Sequence, residues 1–500
     1  MIVPGNSSRP RRRIAGAGAL LAVLSLSSLA FSARAGTVVV DGRFEDWEGV
    51  AAVIEPAPAD SRAQGLVEGV WVASNADRLH LRLRLSREIS LQGGNDRDGI
   101  VLYLDRDHDA DTGLPVGAMG ADFWWAFGRS EGRAYALGLP VRVGQGDVGL
   151  RRAPTVTARE FEISFDRRAP VLGEPFLPGS RIRIHVGEGA PLRPEGPPGA
   201  APATPPTVVL DGAPPVPPEI ADPAREDPSH VRVLSYNVRF DGLFDRPEPF
   251  RRILRAVDPD IVSFQEIYDH SAETVRALVA EILPETPWHA VRDRRSGVVA
   301  SRFPIRASGS LGEAARGLWA VLETPAGEMV VLNPHPPCCG DDDGREEELD
   351  LMAAWIRDAR AAGRVSPDTP LIIAGDLNLV GRSRQVATLL EGAIVDTATH
   401  GPPRPPDGDG TALADVVPHH LTGREVYTWR GDAGPFAPGR LDYIVYTDSV
   451  LGVGTRFVLS TPELPQDLLE RLGLRAADTK EASDHLPVVA DFYRRAASSR

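Results

Sequence analysis

Short apolar runs in the second half of the chain keep ending on a polar residue, and this habit constrains the fold more than any other feature. Val233-Leu234-Ser235-Tyr236 ends on Asn237, and Ile261-Val262-Ser263-Phe264-Gln265 ends on Glu266. Val330-Val331-Leu332-Asn333-Pro334 ends on His335, and Leu371-Ile372-Ile373-Ala374-Gly375 ends on Asp376. Nearly continuous apolar runs of this length fit strands covered on both faces, where no solvated side demands alternation. A polar side chain at the end of such a strand lies at the edge of a sheet, where a site can form. Asp376 and Asn378 stand at i and i+2 of an extended segment and so point the same way. Taken alone, Gly375-Asp376 is also ordinary turn chemistry. Leu441-Asp442-Tyr443-Ile444 places an acid inside an apolar run, which is costly unless the acid is paired or binds a metal.

Helical periods separate these runs. Phe250, Ile253, Leu254 and Val257 follow i, i+3, i+4, i+7, as do Val275, Leu278, Val279 and Ile282. A third helix, rich in Asp and Glu, is predicted over 345–362, and further strands over 297–301, 318–324, 329–333, 441–446 and 487–492. Strands alternating with helices from residue 230 to 495 predict an α/β domain. Residues 37–186 read differently: short β-branched or alternating runs are separated by Gly, Asp, Asn and Pro turns, which predicts an all-β sandwich. Residues 187–229 carry Pro197-Pro198 and Pro215-Val216-Pro217-Pro218 and read as an extended linker.

Residues 1–35 read as a cleaved signal peptide. Arg9, Arg11, Arg12 and Arg13 precede an apolar stretch over 14–31, and Ala33-Arg34-Ala35 offers a small-x-small cleavage site. An uncleaved anchor is the alternative, since the stretch is about long enough to span a bilayer. Cleavage predicts a secreted or periplasmic protein with no transmembrane segment. It removes five arginines and no acid, taking the formal charge from −14 to −19. Such a chain is not built for salt-driven binding along a nucleic-acid backbone, so no stable nucleic-acid complex is expected. The two cysteines, Cys338 and Cys339, are adjacent. They can close a vicinal disulfide that stiffens the loop after His335, or stay free.

The first domain holds an acidic loop, Asp105-Arg106-Asp107-His108-Asp109-Ala110-Asp111-Thr112-Gly113. Asp105, Asp107, Asp109 and Asp111 form a candidate structural calcium site, because hard oxygen donors suit Ca2+; a solvated acidic turn is the alternative. Trp124 and Trp125 fit a sandwich core better than a sugar platform. The opening Val40-Asp41-Gly42-Arg43-Phe44-Glu45-Asp46-Trp47 resembles that of family 9-like carbohydrate-binding sandwiches, which implies a glycan as ligand of this domain.

Six signatures fall in order over 230–493: Tyr236-Asn237, Gln265-Glu266, Asn333-Pro334-His335, Gly375-Asp376-Leu377-Asn378, Arg440-Leu441-Asp442-Tyr443 and Ser483-Asp484-His485-Leu486-Pro487. Each is weak alone, but together they resemble the endonuclease/exonuclease/phosphatase family, which includes DNase I-like nucleases and neutral sphingomyelinases. The resemblance implies a four-layer α/β/β/α sandwich (α/β class, DNase I-like) following the all-β domain. It implies hydrolysis of a phosphate mono- or diester by water with Mg2+ or Mn2+. Carried over, Glu266 is the principal metal ligand, with Asn237 and Asp484 beside it. His485 is the general base, oriented by Asp442, and Asp376 positions or deprotonates the water; which of the two takes the proton stays open. Asn378 and His335 would donate to phosphoryl oxygens. The Pro-flanked, acidic loop after His335 and the lack of a basic track argue against a long polyanion as substrate. Two alternatives remain: an extracellular DNase-type nuclease, and a catalytically silent binding protein acting through the β-sandwich.

Overall fold

The structure is a computed structural model that describes residues 31–32, 38–54, 65–93, 99–191, 205–214, 219–312, 315–325 and 327–496. The expected signal peptide lies outside the described residues except at Phe31–Ser32, a two-residue strand beside Val208 and Val209. Among the described residues no helix is long and apolar enough to cross a membrane.

The first half folds as two facing sheets. One runs through Ala52–Ile54, Val67–Ser74, Arg78–Ile89, Ala158–Asp166 and Arg151–Ala153. The other is centred on Ile100–Asp105, flanked by Phe123–Ala126 and Arg181–Glu188. Alternate residues of both, such as Leu81, Leu83, Phe161 and Ile163 against Leu102, Leu104, Phe123 and Ile184, share one core. This is the period-2 pattern of sandwich strands with one face inward. Trp124 and Trp125 are both buried, so neither is presented to solvent. The stretch expected to be linker is not all linker. Thr207–Val209 pairs with Arg181–Arg183 in the second sheet, between that strand and Phe31–Ser32, and Val208 and Leu210 sit in the core. Three β-branched residues flanked by prolines were enough to join an open edge.

The second half is built on two six-stranded sheets. The first is ordered His289–Arg292, Val298–Ser301, Ile261–Gln265, Val231–Asn237, Val488–Arg494, Leu451–Val458. The second is ordered Ile305–Ser310, Gly317–Thr324, Gly327–Pro334, Leu371–Asp376, Asp442–Tyr446, Ala414–Asp415. The apolar runs explain the layering. Val233, Val299, Val331, Ile372 and Ala374 face between the sheets. Their neighbours Leu234 and Val262 face outward onto the helices Pro247–Val257 and Ala272–Ile282. Leu332, Leu371 and Ile373 face outward onto the helix Asp342–Ala361. Every central strand is therefore covered twice, in the order α/β/β/α.

Two cross-sheet bonds lock the layers next to the strand ends. Gln265 Nε2 of the first sheet donates to Asn333 Oδ1 of the second at 2.8 Å, and Asn333 Nδ2 donates back to Phe264 O at 2.9 Å. Both side chains are fully buried. These two signature residues hold the scaffold rather than a ligand.

The halves dock through named contacts. Thr155 Oγ1 donates to Leu379 O at 2.7 Å, and Thr157 N donates to Gly381 O at 2.7 Å. Gln145 Nε2 donates to Gly431 O at 3.0 Å. Val156 of the sandwich half packs in the core beneath Leu377 and Leu379, and Ala437 of the other half packs in the sandwich core.

Candidate active site

Strand direction gathers the polar ends. Val231–Asn237 and Ile261–Gln265 are parallel, with Asn237 opposite Gln265, so Asn237 and Glu266 emerge at one edge. Leu371–Asp376 runs antiparallel to Asp442–Tyr446 with Asp376 opposite Asp442, so the end of one strand meets the start of the other. The glycine before Asp376 is required by close approach. A Cβ at Gly375 would lie 2.2 Å from the carbonyl oxygen of Pro334, which leads into His335. What reads as turn chemistry in the sequence is a strand residue that lets the His335 segment cross it.

The side chains converge around Asp376. His485 Nδ1 lies 2.8 Å from Asp442 Oδ2, and His485 Nε2 lies 3.6 Å from Asp376 Oδ2. His335 Nε2 approaches the same Oδ2 at 3.5 Å. Asn237 Nδ2 donates to Asp376 Oδ2 at 2.9 Å and to Glu266 Oε1 at 3.0 Å, while its Oδ1 accepts Arg239 N at 2.9 Å. Asp376 Oδ1 accepts Asn378 N at 3.1 Å, and Asn378 Nδ2 donates to Pro336 O at 3.1 Å. Asp442 pairs with His485 and not with its neighbour Arg440, which pairs with Asp415. Ser483 completes the frame: its Oγ donates to Asn237 O at 2.9 Å and accepts His485 N at 3.1 Å. The backbone is left-handed at Arg239, Phe240, Asp241, Glu266, Cys339 and Asn378. For non-glycine residues that costs of order 1–2 kcal/mol each, and its clustering here marks a site that the surroundings hold in place.

Electrostatics separate the two imidazoles. For His485, burial works to lower the pKa, but Asp442, Asp376 and the hydrogen bond to Asp442 outweigh it and push it up to about 10. For His335, burial prevails over Asp376 and Glu266 and lowers the pKa. Asp376 is raised by burial and by Asp442, against the pull of His485 and His335. At neutral pH this arrangement favours a cationic His485 and a neutral His335.

The expected metal ligands keep different relations to the cleft. Glu266 and Asp484 both line it. Glu266 Oε2 accepts Phe240 N at 2.9 Å, and Asp484 Oδ2 accepts Trp429 Nε1 at 3.3 Å. Asn237 has its nitrogen facing two carboxylates and its oxygen on Arg239 N, and so ties Glu266 to Asp376. Asp376, Asp442 and His485 come within 4.8 Å of one another, but the 2.8 Å contact between His485 and Asp442 identifies that pair as a hydrogen-bonded dyad. Glu266, Asp376 and Asp484 line one cleft, and their carboxylates are hard oxygen donors of the kind a divalent cation takes.

The cleft has a volume of about 640 Å³ and is lined by residues with no signature of their own, notably Phe240, Tyr268, Phe436 and Trp429. No spacing rule identifies such residues, because they sit on loops that only the fold brings together. Cys338 and Cys339 are joined as a vicinal disulfide in the same wall. In the sandwich, the acids that meet are Asp105, Asp107 and Asp122. Asp109 and Asp111 fall outside that group: Asp109 N is held by Asp107 Oδ1, and Asp111 N by Asp109 Oδ1, as successive local turns. Asp105 is fully buried against Arg183 Nε at 2.7 Å. Asp122, from a neighbouring strand connection, meets Asp105 and Asp107, an encounter invisible in the local spacing.

The endonuclease/exonuclease/phosphatase family model matches residues 234–485, just over half of the chain. The chain belongs to that family. No curated protein matches the sequence. Solved structures similar to this chain each cover about half of it. The human Nocturnin catalytic domain with bound sulfate is 16% identical, covering 53% of this chain and 95% of that one, with TM-score 0.36. D. rerio TDP2 complexed with single strand DNA product is 18% identical, covering 53% and 99%, with TM-score 0.36. ANGEL2, a 2',3'-cyclic phosphatase, is 18% identical, covering 53% and 95%, with TM-score 0.36.

Proposed function

We propose that this chain is an exported, metal-dependent phosphoesterase that hydrolyses a phosphate mono- or diester by attack of water. The observation that carries the reading is the placement of Asp376 between His335 at 3.5 Å and His485 at 3.6 Å, beside Glu266 and Asp484. Glu266 and Asp484 would hold Mg2+ or Mn2+. When bound, such an ion neutralises charge on the phosphoryl and leaving oxygens. Asn237 fixes the Glu266 carboxylate relative to Asp376. Asp442 holds His485 by Nδ1, which leaves Nε2 toward the cleft. Asp376, raised above an ordinary carboxylate by burial, takes the proton of the attacking water at Oδ2. This reading moves the base from His485 to Asp376, because an imidazole pushed up to about 10 already carries its proton at neutral pH. His485 and the neutral His335 then donate to phosphoryl oxygens as charge builds. Asn378, committed to Pro336 O, shapes the turn that carries Asp376.

Export is supported by the basic and apolar character of residues 1–35, the pattern of a cleaved signal peptide on a secreted or periplasmic protein. The test uses purified protein with Mg2+, with Mn2+ and with EDTA. The panel holds bis-p-nitrophenyl phosphate, p-nitrophenyl phosphate, sphingomyelin, an inositol polyphosphate and plasmid DNA. EDTA-sensitive turnover is the expected result. Folded protein that turns over none of them with either metal refutes the reading.

A further inference from the structure

The cleft is not built by the phosphoesterase half alone. Ser90, Gln92 and Thr157, all from the sandwich, line the same 640 Å³ space as Asp376, His335 and His485. This wall is fastened. Thr157 Oγ1 accepts Ser383 N at 2.9 Å, and Ser383 Oγ donates to Glu88 Oε2 at 2.8 Å, just before the wall segment. Ser90 Oγ accepts Gln92 N at 3.1 Å and so holds the turn that presents Gln92.

The lining is also aromatic. Phe240, Tyr268 and Phe436 are 67%, 43% and 41% exposed, and they are three of the four exposed aromatic side chains among the described residues. Phe240 and Tyr268 stack with centroids 6.0 Å apart and planes at 24°. Phe240 is tied to the site through its own N–H, which donates to Glu266 Oε2 at 2.9 Å. Large apolar rings left in water are informative when they gather in one concave place, because each then gains most by covering a ligand. The volume is that of a small-molecule site. Arg239, Arg316 and Arg345 also line the cleft and suit a phosphate, but a groove for a nucleic-acid strand runs on past the chemistry, whereas here a fixed sandwich segment borders the cleft in a chain of formal charge −14.

We propose that the sandwich segment around Ser90 and Gln92 is a specificity wall of this cleft. The site then takes a small phosphate ester that ends inside it and carries a compact aromatic group against Phe240, Tyr268 and Phe436. The proposal rests on the phosphoesterase reading and adds the class of substrate to it.

The test uses the full chain with Mg2+ and two diesters that share a leaving group, methyl p-nitrophenyl phosphate and phenyl p-nitrophenyl phosphate, with supercoiled plasmid as a third substrate. The wild type is expected to favour the phenyl diester by about tenfold or more in kcat/KM, the size of effect one well-placed apolar contact gives. Phe240→Ala, at an exposed position that does not threaten folding, is expected to bring that ratio below about threefold. Gln92→Trp, which fills the walled end, is expected to shift the ratio about fivefold or more toward the methyl diester. The plasmid is expected to stay intact. Equal kcat/KM for the two diesters, a preference that neither variant moves, or nicking of plasmid at a rate matching diester turnover would each overturn the wall while leaving the phosphoesterase reading standing. No turnover of any substrate by the folded protein would overturn both.

Discussion

Replacing Asp442 by Asn removes one charge from a fully buried side chain and leaves its shape. In the structure Asp442 Oδ2 faces His485 Nδ1 at 2.8 Å, and Thr428 Oγ1 fixes the backbone by accepting Asp442 N at 2.9 Å. The fold is therefore expected to survive. Raising an imidazole from its ordinary 6.5 to about 10 corresponds to roughly 5 kcal/mol of preference for the cationic form. Burial opposes that rise, so the pairing supplies all of it, with Asp442 ahead of Asp376. Assigning Asp442 somewhat over half gives about 3 kcal/mol, or on the order of 100-fold in the proposed reaction. The sign follows from the form in use. His485 acts while protonated, and its raised pKa keeps it so far into alkaline solution. In Asp442→Asn the pKa falls back, and activity is lost as pH rises through the new, lower value. The assay is kcat for bis-p-nitrophenyl phosphate with saturating Mg2+ across roughly pH 5 to 11, which brackets the ordinary 6.5 and the raised value of about 10, with circular dichroism as the folding control. A kcat within about threefold of wild type at every pH, or an alkaline limb that does not move, would refute the assignment.

Gly375→Ala puts a Cβ 2.2 Å from Pro334 O and forces the His335 segment away from Asp376; a stability loss of about 2 kcal/mol or more is expected, read by urea denaturation, together with activity lost even where the protein folds. Glu463→Gln tests a structural pair remote from the chemistry. Burial alone would raise Glu463, but His420, 3.0 Å away, with help from Ser460 and Tyr427, lowers it to about 2. Glu463 is partly exposed, so the pairing is worth about 2 kcal/mol after screening. That stability is present above the ordinary value near 4.5 and fades as pH falls toward 2, so wild type and variant should converge in thermal stability over that interval. A gap that persists at the acid end would contradict the charge pairing.

Much of this molecule is legible before folding. The doubly covered strands announce themselves as unbroken apolar runs, since a strand with helices or a second sheet on both faces cannot afford polar residues until it ends. That one rule locates Asn237, Glu266, His335 and Asp376. The helices Pro247–Val257 and Ala272–Ile282 follow from their apolar period, with Pro247 at the first turn of one and Ser271 capping the other through Thr274 N. The sandwich follows from period-2 alternation. Less of the linker was legible: Thr207–Val209 became a strand because an unpaired sheet edge was available, which composition does not encode.

What the sequence by itself determined is which residues carry charge or hydrogen-bonding capacity at strand ends, because burial selects residue types locally. What only the tertiary structure decided is which of them meet. Asp442 reaches His485 across 43 positions and not Arg440 two positions away. Asn237 bridges two carboxylates 29 and 139 positions distant and thereby holds them in place. Asp122 joins Asp105 and Asp107 in place of Asp109 and Asp111. The aromatic lining and the Gln92 wall come from loops of two domains. Such encounters are fixed by strand order, register and domain docking, whose energies are summed over whole layers of core and leave no mark in the spacing of any one motif.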